Sequence, residues 1–251
     1  MMTVPDTIDF SVADGIGTVT IDRPPVNALT SNEYREYASF VDELSEHDEL
    51  QVVVFKAAGA GQFIAGHDIH EFVDLGPEQA RKLTTRAQEF FKAVDTVEWP
   101  TIAAIDGYAY GTGLAFAAVT DIRYATVDAT FCLPEVDRGV LGGYKFTQRH
   151  LPEGRARELF YTGEPITART AADDGFVQAC YETREELYDA VDETARTIAE
   201  KDRTTIQLAK QSVVDTVDEP VHEGYSRECE YTVELRTHDS ANESSAAFFD
   251  N

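Results

Sequence analysis

Cations are scarce in this 251-residue chain: 21 lysines and arginines stand against 46 aspartates and glutamates, for a formal charge of −25. Such a surface repels nucleic-acid phosphates and anionic lipid headgroups, so neither is expected as a partner. Self-repulsion on this scale opposes the compact state at low ionic strength, and salt screens it. The acids are spread along the chain instead of being gathered in a tail, which reads as a halophile's protein; an acidic protein of an ordinary cell is the competing reading. Cysteine is also scarce. Cys132, Cys180 and Cys229 lie far apart with no C-x-x-C or Cys/His cluster, which argues against a disulfide framework or a zinc site. No apolar run approaches the length of a membrane span, and the start MMTVPDTIDF has neither a basic stretch nor an apolar core, so a cytoplasmic location is expected.

What is present is ordinary globular material, 43% apolar and 27% charged, enough for one large domain or a domain with an appendage. Ile8 to Val12 and Thr18 to Ile21 flank the turn ADGIG and read as a hairpin. From Thr30, a Thr/Ser/Asn start is followed by Tyr34, Tyr37, Phe40, Val41 and Leu44 at three-to-four spacing, the pattern of a capped helix. QVVVFKAAG is a buried strand leading into the loop GAGQFIAGHD, and HDIHEF follows as a short helix. Pro77 to Glu98 is helical, with Ala80, Leu83, Ala87, Phe90, Phe91, Val94 and Val97 on one face. TIAAIDG, IRYAT and ATFCLPE are further strands, and after about Arg155 the pattern is helical almost throughout. Alternating buried strand, loop and helix predicts an α/β fold. No internal sequence repeat is visible.

The stretch GYAYGTGLAFAAVTD places Gly107, Gly111 and Gly113 before an apolar helix. A dinucleotide fingerprint fails because Phe116 stands where the third small residue belongs, and no G-K-[ST] follows for a P-loop. Two readings stay open. Either the glycines allow a helix to pack closely on a strand, or N–H groups at the helix start polarise a carbonyl. The second needs another donor, for which the loop FIAGHDIHEF is the candidate. His67 and His70, with Asp68 and Glu71, lack a third ligand at a recognisable spacing and so do not define a metal site.

In order and separation, IDRPPVNALT, FIAGHDIHEF, IDGYAYGTGLAFAAVTDIRYA and FCLPEVDRGVLGG resemble the enoyl-CoA hydratase/isomerase (crotonase) superfamily, and the likeness continues through ELFYTGEPITARTAADDGFV. The resemblance implies a spiral of β-β-α turns over residues 1–182, a C-terminal helical oligomerisation region over 183–251, and a homotrimer or dimer of trimers. It implies an acyl-CoA thioester as substrate, with no cofactor beyond that coenzyme A. It places the N–H groups that hold the thioester oxygen on His67 and Thr112, beside Gly111, and an acid/base glutamate at Glu135 after Pro134. Substrate contacts are expected at Val26, Ala28, Ala65, Asp68, Ile69, Gly111 and Pro134.

One departure matters. A typical hydratase of the family has a second glutamate on the glycine-initiated helix, and here that position is Ala115. A carboxylate working alone suits a proton shuttle between two carbons of an enolate, so isomerisation is expected ahead of hydration. Asp137, His67, Tyr108 and Tyr110 are possible helpers. A family member with one glutamate could also bind acyl-CoA without turning it over.

Overall fold

Asp14 and Gly15 both take positive φ, 50° and 80°, the twist that a two-residue hairpin turn requires. β1 (Ile8–Ala13) therefore folds back on β2 (Ile16–Ile21), with Ile8 opposite Ile21 and Ala13 opposite Ile16. The computed structural model describes residues 2–239; Met1 and the end of the expected C-terminal region, 240–251, lie outside the described residues. β3 (Ala28–Leu29) leads to α1 (Ser31–Leu44), which starts where expected. The Thr30 side chain accepts from the Glu33 N–H, and the Glu33 carboxylate accepts in return from the Thr30 N–H.

Three more turns follow the same plan. β4 (Val52–Ala57) is followed by β5 (Gln62–Ile64), β6 (Gly66–His67), a 3-10 turn at Ile69–Phe72 and α2 (Pro77–Thr96). β7 (Thr101–Ile105) is followed by β8 (Tyr108–Tyr110) and α3 (Thr112–Val119), then β9 (Ile122–Thr126) by β10 (Thr130–Cys132) and α4 (Tyr144–Thr147). The first strand of each turn enters one sheet and the next strand enters another, so the chain advances as a spiral. Repetition thus exists in the structure although the sequence shows none.

The remaining elements are α5 (Glu153–Thr162), β11 (Ile166–Thr167), α6 (Ala168–Asp173), β12 (Ala179–Tyr181), α7 (Arg184–Ala199), α8 (Arg203–Thr216) and α9 (Val221–Leu235). The larger sheet runs β1-β2-β4-β7-β9-β12, parallel except for the opening hairpin; the smaller runs β11-β10-β8-β5; β3 and β6 form a separate parallel pair. One expectation needs correction: GAGQFIAGHD is not all loop, since it contains β5 and β6. The region after Arg155 is helical apart from β11 and β12, which each close a sheet edge. These strands are two or three residues long, too short for a periodicity, and their pairing partners lie far away in the chain.

The apolar run of β4 is explained by burial on both faces. Val53 and Phe55 face the main core with Phe63, Phe90 and Phe116, while Val52 and Val54 face Leu187, Val191 and Ala195 of α7. α3 is anchored at both ends. A Cβ built on Gly113 would fall 2.2 Å from the Ile64 carbonyl oxygen, so the helix rests directly on β5. At its C-terminus the buried Arg123 guanidinium donates to the carbonyls of Ala117, Thr120 and Phe176, where cationic charge complements the helix dipole. Among the described residues no helix is long and apolar enough to cross a membrane.

Candidate active site

The close-packing reading of the glycines holds for Gly113, and the site explains Gly111. A Cβ at Gly111 would lie 2.9 Å from Glu135 Oε1, so this glycine leaves room for the carboxylate. Gly111 has φ 52° and ψ −113°, and α3 begins at the next residue with no side chain capping its first N–H groups. The helix is buried along its whole length, so the positive end of its dipole acts in a poorly screened setting. β6 runs alongside. The Asp68 N–H donates to the Leu29 carbonyl at 2.9 Å, and alternation along the strand turns the His67 N–H to the edge away from β3. An ideal Cβ on Gly66 would stand 4.0 Å from the Thr112 nitrogen. The structure therefore brings the His67 and Thr112 backbones together, on two different elements.

Glu135 lies in the 3-10 turn Pro134–Arg138, which starts with proline and ends at Gly139 in the left-handed region. Its Oε2 is buried and makes no hydrogen bond. Burial lifts the Glu135 carboxyl from 4.5 to about 7, with its own backbone N–H pulling the other way. Such a group exchanges protons near neutral pH.

Glu135 opens into a cavity of about 500 Å³, and it is the one carboxylate among the described residues that line it. Ala115 lines the same cavity and is 1% exposed, so the position without a carboxylate shares the cavity with Glu135. Phe91, Phe146 and Leu141 supply apolar wall. The amphipathic face read for α2 divides: Phe90 and Val94 enter the core, Ala80, Leu83 and Ala87 line the cavity, and Phe91 does both. Among the described residues no group of three or more His, Cys, Asp or Glu side chains is placed to hold a metal ion.

Tyr34 is the residue that sequence reasoning missed. Its pattern on α1 is that of a core position, and it is 1% exposed, yet its hydroxyl is 2.6 Å from Thr112 Oγ1 and 3.0 Å from His67 Nδ1. Burial pushes its ionisation up and that of His67 down, so both stay neutral. His67 Nε2 is 3.1 Å from Glu71 Oε2 but makes no hydrogen bond with it, and because the ring is neutral the contact is not an ion pair. The stripe carries two tyrosine hydroxyls, and that of Tyr37 bonds Thr7 instead, so no local signal singled out Tyr34.

The expected substrate contacts fall in one neighbourhood beside the cavity, not in its lining. Ala28 pairs with Gly66, the Ala65 N–H donates to the Val26 carbonyl, and Ile69 is 57% exposed. Asp68 caps the 3-10 turn through the His70 N–H and accepts from Arg23, two contacts that hold its carboxyl low. Tyr108 donates to Gln62 and Tyr110 bonds Thr130; neither lines the cavity, nor does Asp137.

Comparison with known proteins gives the family and the fold. The family model described as enoyl-CoA hydratase/isomerase matches residues 11–251. The (7aS)-7a-methyl-1,5-dioxo-2,3,5,6,7,7a-hexahydro-1H-indene-carboxyl-CoA hydrolase of Rhodococcus jostii is 37% identical over 227 residues, covering 88% of this chain and 86% of its own. The short-chain-enoyl-CoA hydratase of Clostridium acetobutylicum is 33% identical over 202 residues, covering 79% and 77%. In three dimensions, an enoyl-CoA hydratase from Bacillus anthracis superposes with TM-score 0.91 at 26% identity, over 98% of this chain and 96% of that one.

Proposed function

We propose, since the chain belongs to the enoyl-CoA hydratase/isomerase family, that its cavity takes an acyl-CoA thioester and that Glu135 moves a proton between two carbons of the acyl group, shifting a double bond. The thioester oxygen sits between the N–H groups of His67 and Thr112, where negative charge develops as the α-proton or γ-proton leaves. Glu135 takes the proton from one carbon, becomes the neutral acid, and returns it to another. The observation that carries this reading is that, among the described residues lining the cavity, Glu135 is the one carboxylate, and Ala115 lines the cavity too. Water addition is easiest to stage with two carboxylates, one to activate the water and one to deliver the proton.

Hydration is the second reading, supported by the hydratase names of several relatives. In it, Glu135 serves alone with a water held by other groups. One assay separates the two: incubation with 3-enoyl-CoA and with 2-enoyl-CoA in molar salt, followed by the absorbance of the conjugated thioester. Isomerisation makes absorbance rise from the 3-enoyl substrate with little loss from the 2-enoyl one; rapid loss from the 2-enoyl substrate gives the chain to hydration. Binding without any turnover makes it a carrier. The name of the Rhodococcus relative adds a bicyclic keto thioester to the panel.

The charge of −25 supports a salt-rich cytoplasm as the working environment. Exposed Val213 on α8, Val217 at its C-cap, and Val221, Tyr225 and Val233 on α9 support assembly through these helices, as a homotrimer or dimer of trimers.

A further inference from the structure

We propose that Tyr34 is a positioning residue: its hydroxyl ties the Thr112 side chain to the His67 ring and so sets the spacing of the two N–H groups that receive the thioester oxygen. This rests on the oxyanion reading given above. The two donors stand on different elements. His67 is the last residue of β6, a two-residue strand whose ladder partner is the equally short β3, while Thr112 is the first residue of α3, which rests on β5. The sheet that pairs β5 with β8, Ile64 opposite Ala109, stops short of both donors: neither His67 nor Thr112 is one of its residues. Tyr34 comes from a third element, α1, and reaches both, at 2.6 Å from Thr112 Oγ1 and 3.0 Å from His67 Nδ1.

The tie is built to be stiff. The Tyr34 ring stacks on Phe90 with centroids 5.7 Å apart and planes 15° apart, and the His67 ring lies between Tyr34 at 5.4 Å and Phe72 at 4.8 Å. His67 Nε2 has no hydrogen bond, so among the described residues Tyr34 supplies the one that orients the ring. A single hydroxyl proton means that Tyr34 donates to one neighbour and accepts from the other, so both bonds can form at once. Preorganisation is what makes an oxyanion site effective, because donors that need no rearrangement stabilise charge as it forms. A hydroxyl that removes slack between two donors therefore serves kcat more than binding.

The test uses the whole protein in molar salt with an aryl-conjugated 2-enoyl-CoA, whose absorption moves to longer wavelength when its carbonyl is polarised. Tyr34→Phe keeps the stacked ring and removes the tie. It is expected to lose at least half of the wild-type red shift and to lower kcat on the turned-over substrate by about 10-fold to 100-fold, with KM changed less than about 3-fold. Thr112→Val keeps the N–H and removes the same bond from the other end, so it is expected to behave alike, and the double variant to be no worse than the worse single one. Full red shift and unchanged kcat in Tyr34→Phe overturn the proposal, as does a rise in KM alone or a double variant in which the two losses multiply. Should Tyr34→Phe fail to fold, Thr112→Val carries the measurement. If the wild type itself gives no red shift, the oxyanion reading fails, and the proposal fails with it; a wild-type shift that Tyr34→Phe retains removes the proposal alone.

Discussion

Replacing Glu135 with glutamine keeps the side chain's shape and removes its charge, and its effects on stability and on turnover have opposite signs. Burial holds the carboxyl at about 7 instead of 4.5. At about 1.4 kcal/mol per pH unit, that interval corresponds to about 3 kcal/mol. Below the unfolded value the group is protonated in both states and costs nothing. Between the two values the unfolded chain gives up its proton first, so stability falls as pH rises, and above about 7 the whole cost is present. Glutamine escapes this cost but buries an amide without a partner, a penalty of about 1–3 kcal/mol that does not depend on pH. The quantity to read is therefore the difference between variant and wild type at about pH 8 minus that at about pH 5, in which the constant penalty cancels. The expected value is up to about 3 kcal/mol in favour of the variant, or about 6–12 °C in Tm for a chain of this size. The open cavity keeps Glu135 in some contact with water, so this is an upper value. Turnover should fall by about 10²-fold to 10⁴-fold, and the wild-type rate should rise with pH through about 7, because the ionised form takes the first proton. Thermal unfolding at the two pH values and a pH–rate profile check both arms. A variant that turns over normally, or a stability difference that is the same at both pH values, refutes the reasoning.

Three other outcomes are expected. Thr112→Pro removes the N–H at a first-turn position where proline is otherwise tolerated, and should cost about 2.7–4 kcal/mol in kcat/KM, more than the hydroxyl loss in Thr112→Val; a folded Thr112→Pro with a normal rate moves the oxygen elsewhere. Ala115→Glu places a second carboxylate in the cavity that Glu135 lines and should raise hydration of 2-enoyl-CoA while isomerisation falls. Because Ala115 is buried, with Gly143 close by, overpacking of about 1–3 kcal/mol is the cost, and a folded variant without added hydration shows that this position does not select the reaction. Dialysis from molar salt into dilute buffer should unfold the protein, read by far-ultraviolet circular dichroism; full ellipticity and activity without salt would remove the inference drawn from the −25 charge.

How far the sequence reached depended on the range of each signal. α1 was legible from Thr30, Glu33 and the apolar spacing, because a capping box and one helix face are local patterns. β4 was legible because both of its faces are buried, which leaves a continuous β-branched run. β5, β6, β11 and β12 were not legible: strands this short have no period to read and take their conformation from distant hydrogen-bond partners. Family motifs pointed to His67, Thr112 and Glu135, since each stands beside glycine or proline residues that shape a special turn.

By itself the sequence determined the charge, the α/β class and the helix that starts at Thr112, because all of these are written in composition or in short-range order. Only the tertiary structure decided that Glu135 is buried enough to titrate near neutrality, that α2 gives one part of its apolar face to the core and another to the cavity, and that a tyrosine on α1 joins His67 to Thr112. Burial and hydrogen bonding between residues 33 and 78 positions apart arise when the chain closes on itself, and no local pattern records them.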